Sequence, residues 1–362
     1  MKKIIAIFMC IIISCMPISA FAAEKENFDS ESSCITKMLD KRWNVKSSDI
    51  HPELRTVGNI IRTIFPNFTV GFFKFANLFL DNIGLPNLTK GINYEEKYIM
   101  RDDGTKLRIC VYSPIERKEN VPGLLWIHGG GYAIGVPEQD FSFIESFVLS
   151  SGCVLVAPDY TNSTDAPYPA ALNDCYEALL WLKEHGKDYG MRSDQIFVGG
   201  NSAGGGLCAA VSLKAKDTGD VNIAFQMPLY PMLDDRMITE SSQNNDAPVW
   251  NTKSNEIAWE LYLGENFKTD NVSKYAAPAR ETDYTGLPPT LTYVGTIEPF
   301  TDETIEYVEN LKKAGVEVQF RTFEGCFHAF DLFSYSTPAK EARAFLLEGF
   351  MYAVENYTAP QK

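Results

Sequence analysis

A glycine-flanked serine between a strand pattern and a helix pattern is the feature that most constrains the fold of this chain. The apolar residues 196–198 predict a short strand, and residues 203–216 have the spacing of a buried helix. Between them stands Gly200-Asn-Ser-Ala-Gly204, which matches the G-x-S-x-G pattern of a nucleophile elbow. A strand that reverses into a helix within about one residue strains the serine backbone and requires small neighbours. The stretch therefore predicts Ser202 as a nucleophile at the carboxyl end of a strand.

Strand and helix patterns alternate along most of the chain. A hairpin is predicted across residues 96–112, and further strands at 123–127, 153–157, 196–198, 223–229, 290–294 and 316–323. Helices are predicted at 141–150, 170–185, 203–216, 302–314 and 339–356. Continuous apolar strands separated by helices indicate a mostly parallel sheet flanked by helices. The predicted fold class is α/β, with an active site beyond the carboxyl ends of the strands.

Two segments do not fit this alternation. The N-terminal segment 23–92 is helical in pattern and includes six phenylalanines between Phe65 and Phe79, and a polar insert spans about 234–274. We expect both to lie together as a helical cap on a catalytic domain of residues 93–358. Four aromatic residues are candidates for substrate contact, although they could equally form the core of the cap: Tyr132, Trp250, Trp259 and Phe300.

The N-terminus has the pattern of a targeting segment. Lys2 and Lys3 precede the apolar residues 4–13, and small residues follow at Ala20 and Ala22. These features predict a cleaved signal peptide of residues 1–22 and a secreted or cell-envelope protein. Alternatively, Ile-Ile-Ser-Cys15 resembles a bacterial lipobox, which would make the protein a lipoprotein anchored at Cys15. No later segment has the length and hydrophobicity of a membrane span.

Charge and cysteine usage limit the classes of partner. The formal net charge of the 362 residues is −14, which argues against nucleic acid, because phosphate binding relies on clustered Lys and Arg. The eight cysteines show neither C-x-x-C nor Cys/His metal spacing, so buried free thiols are expected. We expect no metal and no organic cofactor.

A second glycine-rich motif and one histidine complete a catalytic pattern. His128-Gly-Gly-Gly131 follows the strand that ends at Ile127, where flexible backbone can aim N–H groups at an oxyanion. A serine hydroxyl needs a neighbouring base. Among the four histidines, His51 lies in the expected cap and His185 ends a helix, whereas His328 follows a strand at the appropriate edge of the sheet. His328 is therefore the predicted base.

With these motifs in this order, the chain resembles the hormone-sensitive-lipase-type α/β-hydrolases, a group of bacterial carboxylesterases and lipases that carry HGGG and G-D-S-A-G-G. The likeness runs from about residue 94 to the C-terminus and includes Pro158-Asp-Tyr160, Pro167-Tyr-Pro-Ala-Ala171, Tyr230-Pro231, Ser273-Lys-Tyr275, Gly286-Leu-Pro-Pro289 and Gly325-Cys-Phe-His-Ala-Phe330. The resemblance implies that Ser202 is the nucleophile and His328 the base. It also implies an oxyanion hole from the backbone N–H groups of Gly129, Gly130 and Ala203, with His128 organising the loop.

The acid of the triad is the point at which the chain departs from the family. The family has an Asp followed by Pro and then Asp-Glu, and here Glu298 occupies that first position. Asp302 competes with it, but it opens a predicted helix, where a carboxylate caps backbone N–H groups. Asn201 replaces the family's usual Asp beside the nucleophile, and residues 161–166 lack the usual Arg-Leu-Ala-Pro-Glu, so that loop needs a different brace.

The leading functional hypothesis is an exported serine carboxylesterase that hydrolyses short-acyl or small carboxylic esters through an acyl-enzyme intermediate. One alternative is an acetyl esterase that acts on acetylated glycans, and another is a non-catalytic binding protein on a hydrolase fold. The expected partner is a small-molecule ester. The sequence does not separate esters from amides as substrates, and it predicts no oligomeric state.

Overall fold

The structure, a computed structural model, describes residues 45–80, 89–101 and 103–362. The predicted signal peptide 1–22, with the alternative anchor at Cys15, lies outside the described residues. The strands are β1 (Ile92–Met100), β2 (Lys106–Pro114), β3 (Val121–Ile127), β4 (Val154–Pro158), β5 (Met191–Asn201), β6 (Phe225–Leu229), β7 (Thr290–Gly295) and β8 (Val318–Phe323). The α-helices are α1 (Pro52–Ile64), α2 (Val70–Leu80), α3 (Phe141–Ser151), α4 (Ala170–His185), α5 (Ala203–Thr218), α6 (Thr252–Leu263), α7 (Thr301–Lys313) and α8 (Thr337–Asn356).

The strands form one sheet in the order β1-β2-β4-β3-β5-β6-β7-β8. β1 pairs with β2, and β2 with β4, in antiparallel register, while every other neighbouring pair is parallel. The predicted α/β-hydrolase architecture is thereby confirmed. β5 is longer than the predicted 196–198, because it pairs with β3 from Val121 opposite Met191 to Ile127 opposite Gly200. Backbone pairing thus brings the polar start of β5 into the sheet.

Helices cover both faces of the sheet, and the central strand β3 shows why. Leu125 and Ile127 of β3 belong to one buried cluster and Leu124 and Trp126 to the other, as expected where successive side chains point to opposite faces. α4 and α5 supply apolar residues to the first cluster, and α3 and α8 supply them to the second. A strand buried on both faces carries no polar alternation, which explains the continuous apolar runs of the sequence.

The N-terminal helices and the 234–274 insert pack together. Phe68 donates its backbone N–H to Ser254 Oγ at 3.0 Å, and Asn251 Nδ2 donates to the Pro66 carbonyl at 2.6 Å. α1 also packs on the loop after β8, where the His51 N–H donates to the Gly325 carbonyl at 2.8 Å. Within the insert, residues 252–263 form the α-helix, and loops flank it on both sides.

The loop after β4 has the different brace that its sequence requires. Thr161 donates its backbone N–H and its hydroxyl to Asp174 Oδ2 of α4, at 2.8 and 2.7 Å. Arg101 pairs with the same carboxylate through Nε at 2.6 Å and Nη2 at 2.8 Å. Since Asp174 is almost fully buried, these four bonds satisfy a charge that would otherwise be costly.

The cysteines of the described residues are free thiols, as the sequence predicts. Cys110, Cys153, Cys175, Cys208 and Cys326 are buried and free, while Cys34 lies outside the described residues. Burial raises the pKa of these thiols, so they pack as small hydrophobic side chains. Across the described ranges, no helix combines the length and the apolar character that a membrane span needs.

Candidate active site

Ser202 lies at a sharp turn between β5 and α5. Its backbone has φ 58° and ψ −121°, a region that residues with a side chain rarely adopt. The neighbouring glycines allow this, because a Cβ on Gly200 would lie 2.4 Å from the Gly204 carbonyl oxygen and one on Gly204 would lie 2.1 Å from that of Ile127. The Ser202 N–H donates to the Leu229 carbonyl at 2.9 Å, which ties the elbow to β6. The turn places the serine side chain beyond the sheet edge.

His328 and Glu298 stand in line with Ser202. His328 Nε2 lies 2.7 Å from Ser202 Oγ, and His328 Nδ1 bonds Glu298 Oε2. Because a carboxylate only accepts, Nδ1 carries the proton and Nε2 is free to accept from the serine hydroxyl. The structure thus brings together Ser202, Glu298 and His328. His328 is 126 residues from Ser202 and 30 residues from Glu298 along the chain.

Glu298 is held in place by hydrogen bonds to both of its carboxylate oxygens. Glu298 is fully buried in the turn between β7 and α7, and its Oε1 accepts the Gly295 N–H at 2.9 Å. Burial raises the pKa of Glu298, while the adjacent His328 and the Gly295 N–H oppose that rise. Asp302 faces elsewhere: its Oδ2 accepts the Ser241 N–H at 2.7 Å in the first turn of α7. His328 therefore contacts Glu298, and Asp302 braces the insert.

The HGGG loop borders the same serine. Gly130 has φ +126°, and a Cβ there would lie 1.7 Å from the Ile134 carbonyl oxygen, so only glycine fits. Gly129 and Gly130 line the cavity together with Ser202. Ala203 is the first residue of α5, and the first N–H groups of a helix have no intrahelical acceptor. The loop and the helix start thus present backbone donors on the side of the nucleophile.

His128 is held in the loop and does not reach toward the serine. Its ring stacks on Tyr160 with centroids 4.2 Å apart, and Nδ1 donates to the Gly129 carbonyl at 2.8 Å. Tyr160 in turn donates its hydroxyl to the His128 carbonyl at 3.0 Å. Burial lowers the pKa of His128 to about 4, so the ring is neutral at physiological pH. These contacts fit the loop-organising role that the resemblance implies.

An apolar cavity of about 260 Å³ opens onto Ser202 and His328. Its far wall is formed by α1, α2 and the segment between them, which contribute Val57, Ile60, Ile61, Phe65, Phe68, Phe72, Phe73, Phe75, Ala76 and Leu80. Polar side chains at its wall, Gln139, Asp140, Asn201 and Tyr230, cluster beside the nucleophile. The cavity therefore offers hydrogen bonds only near the reacting atoms and an apolar surface elsewhere.

Four aromatic residues were candidates either for substrate contact or for the core of the cap, and of these the structure places only Trp250 in the cavity wall. Tyr132 is buried, stacks on Tyr262 at 3.9 Å and donates its hydroxyl to the Met232 carbonyl. Trp259 is fully buried beside Tyr132, and the ring of Phe300 packs edge-on against His328 at 5.0 Å. For these three residues the substrate-contact alternative is corrected, because tertiary packing uses them as core, as the other alternative expected.

Two residues at the site were missed by the sequence reasoning. Asp140 lies beside Asn201 in the cavity wall, and the ring of Tyr230 packs edge-on against His328 with centroids 5.1 Å apart. Tyr230 donates its hydroxyl to the buried Asp331, which fixes the ring. The Tyr230-Pro231 motif was a possible signal for Tyr230, whereas nothing in the local sequence marks Asp140. In the described part of the chain, no cluster of three His, Cys, Asp or Glu side chains could hold a metal ion.

A serine, a carboxylate and a histidine in this chain order, at the carboxyl edge of a mostly parallel sheet, define an α/β-hydrolase. A family model of the alpha/beta hydrolase fold matches residues 124–332. The chain belongs to this family, and within it to the hormone-sensitive-lipase-like carboxylesterases, as the sequence resemblance predicted.

Relatives of known name agree with this assignment. The chain is 32% identical over 219 residues to esterase LipI of Mycobacterium tuberculosis, covering 60% of this chain and 68% of that protein. It is 28% identical over 258 residues to carboxylesterase NlhH of the same organism, covering 70% and 80%. Among solved structures, a bacterial heroin esterase superposes with a TM-score of 0.80 at 35% identity, covering 86% of this chain and 100% of that chain.

Proposed function

We propose that this carboxylesterase hydrolyses small, hydrophobic carboxylic esters through an acyl-enzyme intermediate, with Ser202 as nucleophile, His328 as general base and Glu298 as the group that orients it. The observation that carries the proposal is the 2.7 Å contact between His328 Nε2 and Ser202 Oγ at the wall of an apolar cavity. Family membership favours this activity over that of a non-catalytic binding protein.

In the acylation half, Ser202 Oγ attacks the ester carbonyl carbon while its proton passes to His328 Nε2. Glu298 holds the Nδ1–H and stabilises the imidazolium that forms. The carbonyl oxygen, now negative, accepts hydrogen bonds from the backbone N–H groups of Gly129, Gly130 and Ala203. His328 then gives its proton to the leaving alkoxide, which departs as the alcohol.

In the deacylation half, water replaces the alcohol. His328 Nε2 removes a proton from the water as the water oxygen attacks the acyl carbon, and the same backbone groups receive the oxyanion. Collapse of the tetrahedral intermediate breaks the bond to Ser202 Oγ, which regains the proton from His328. The carboxylic acid is released and the enzyme returns to its starting state.

The cavity supports hydrophobic esters as substrates over acetylated glycans. A sugar placed against the phenylalanines of α1 and α2 would leave its hydroxyls without hydrogen-bond partners, which is costly when they are buried. A volume of about 260 Å³ is also smaller than the roughly 300–1,000 Å³ of typical pockets for drug-sized ligands. Both properties favour a short acyl chain or a small apolar alcohol.

Hydrolysis of p-nitrophenyl esters from acetate to decanoate tests the proposal. We expect kcat/KM to peak among the short chains and Ser202→Ala to abolish turnover while leaving the melting temperature close to that of the wild type. Release of acetate from acetylated xylan oligosaccharides is measured in parallel and should be far slower. Equal turnover by Ser202→Ala, or a preference for the glycan, would refute the assignment.

We also propose that residues 1–22 direct export of the protein and are then cleaved off. The support is the order of charged, apolar and small residues at the N-terminus. Mass spectrometry of the protein expressed with its full N-terminus in a bacterial host decides between the two processing routes. A mature chain that begins at Ala23 supports cleavage, whereas a diacylated chain that begins at Cys15 supports the lipoprotein alternative.

A further inference from the structure

The buried carboxyl group of Asp140 stands beside the nucleophile elbow and has no part in the mechanism above. Asp140 is 4% exposed and immediately precedes α3. Its Oδ2 accepts from Asn201 Nδ2 at 2.6 Å and from Trp126 Nε1 at 2.9 Å. Two donors from the ends of β5 and β3 thus converge on one oxygen, which must act as an acceptor.

Asn201 carries this contact to the reacting groups. It is the residue before Ser202, and a Cβ built on Gly129 would lie only 2.3 Å from Asn201 Oδ1. The amide oxygen therefore packs directly on the backbone of the glycine loop, while the amide nitrogen is held by Asp140. Asn201 therefore connects three groups: it contacts Asp140, it packs on the glycine loop, and it is bonded to the nucleophile Ser202 through the backbone.

The residue type at 201 follows from this arrangement. The family's usual Asp has no N–H to donate, and at 201 it would set a second carboxylate at hydrogen-bond distance from Asp140. Two ionised carboxylates in such contact repel and must share a proton. The Asn201 amide donates an N–H to the Asp140 carboxylate, so no proton has to be shared between two carboxylates. Asp140 thus accounts for the departure of this chain from the family pattern at position 201.

We propose that Asn201 and Asp140 form one positioning pair for the nucleophile elbow and the glycine loop, and that the pair functions at neutral pH only when one of its members is an amide. The effect on activity rests on the esterase function proposed above. The structural pairing does not, so stability provides a second and independent readout.

The charged and titratable groups around Asp140 set the direction of the expected pH dependence. Burial dominates and raises the pKa of Asp140 to about 6, while Arg343 of α8 lowers it and Asp331 raises it. Tyr160 and Tyr230 also face this carboxyl, and their own pKa values are raised well above the ordinary range, so both remain neutral. A carboxylate added at 201 would raise the pKa of the pair further, because the two negative charges oppose ionisation.

The test compares Asn201→Asp, the double variant Asn201→Asp/Asp140→Asn and the control Asn173→Asp, which adds the same charge at an exposed position on α4. The ratio of variant to wild-type kcat/KM for p-nitrophenyl butyrate is measured from pH 6 to 8.5, so that pH effects common to both enzymes cancel. For Asn201→Asp we expect this ratio to fall by about tenfold or more between pH 6 and 8.5, as the carboxyl pair at positions 140 and 201 loses its shared proton. Each unit of pKa changes such an ionisation equilibrium about tenfold.

The double variant should bring kcat/KM back to within about threefold of wild type, and its ratio to wild type should not change with pH. A remaining pKa shift of one unit would change that ratio by about tenfold. In that variant the amide introduced at position 140 donates to the carboxylate introduced at position 201, and the amide oxygen still accepts from Trp126. The control should match wild type throughout. An Asn201→Asp ratio that is flat with pH, or a double variant no better than the single one, would overturn the pair.

Melting temperatures over the same pH range give the second readout. When the pKa of a carboxyl group is higher in the folded than in the unfolded state, the folded protein loses stability as pH rises toward the folded-state pKa. The melting temperature of Asn201→Asp should therefore fall further below wild type from pH 6 to 8.5, and that of the double variant should not. If wild type hydrolyses no ester, the proposed function fails while these curves still decide the pairing. If Asn201→Asp does not fold, folding of the double variant supports the pair and its failure to fold overturns it.

Discussion

Replacement of Glu298 by Gln tests the acid of the triad with the smallest structural change. Glu298 uses both oxygens: Oε1 accepts the Gly295 N–H at 2.9 Å and Oε2 accepts the His328 Nδ1–H. A glutamine keeps only one oxygen, so one of these two donors must face an NH₂ group. The side chain is fully buried, and water cannot compensate.

The two orientations of the glutamine have different consequences. If its oxygen faces His328, the buried Gly295 N–H loses its acceptor, which costs about 1–3 kcal/mol. If its oxygen stays on Gly295, the NH₂ group faces His328 Nδ1, and the imidazole must carry its proton on Nε2. An Nε2–H placed 2.7 Å from Ser202 Oγ cannot remove the serine proton. The productive orientation is therefore the minority one.

We expect Glu298→Gln to lower kcat by about 10³- to 10⁴-fold, the usual cost of converting a triad acid into an amide. Steady-state hydrolysis of p-nitrophenyl butyrate at pH 8 measures it, with the melting temperature as a check on folding. The matched control is Asp302→Asn, which retains an acceptor for the Ser241 N–H and should keep kcat within about threefold, in line with a residue that makes no transition-state contact. A Glu298→Gln variant within tenfold of wild type, or a more damaging Asp302→Asn, would refute the assignment of the acid.

Three further changes probe the loop and the cavity. Gly130→Ala should lower kcat by about 10²- to 10³-fold, because its Cβ would lie 1.7 Å from the Ile134 carbonyl oxygen and displace an oxyanion donor. An unchanged kcat would exclude the Gly130 N–H as an oxyanion donor. Phe73→Ala should cost about 3–5 kcal/mol in urea unfolding and shift the preferred acyl chain to a longer one, since Phe73 is fully buried in the cavity wall. An unshifted chain-length profile would contradict its role. His128 has a pKa of about 4 in the folded protein and 6.5 ordinarily, so it contributes about 3 kcal/mol of stability at neutral pH that is lost from pH 6.5 down to 4. In His128→Gln the free energy of unfolding should no longer fall between pH 6.5 and 4 for this reason. A curve of unfolding free energy against pH that runs parallel to that of the wild type would refute the prediction.

Much of the fold could be predicted from local sequence patterns. Strands buried on both faces must be continuously apolar, so β3 and β4 were evident, and the limits of most helices were predicted within a few residues. β5 was predicted too short, because its first residues are polar and join the sheet only through pairing with β3. Hydrophobicity alone carries no information about such pairing.

The sequence by itself determined the groups that carry the chemistry. Gly200 and Gly204 reveal Ser202, because no other residue type permits that turn, and the HGGG motif reveals the loop that borders it. His328 followed because a serine nucleophile needs a base and few histidines are available. These inferences depend on steric and chemical requirements that act within a few residues of chain.

Only the tertiary structure decided which side chains meet. It brought Glu298, rather than Asp302, to His328, and it placed the phenylalanines of α2 in the cavity while Tyr132 and Trp259 became core. It also set Asp140 against Asn201, 61 residues away. Such contacts arise where the ends of different strands and helices converge, and the space left between them depends on the packing of the whole chain.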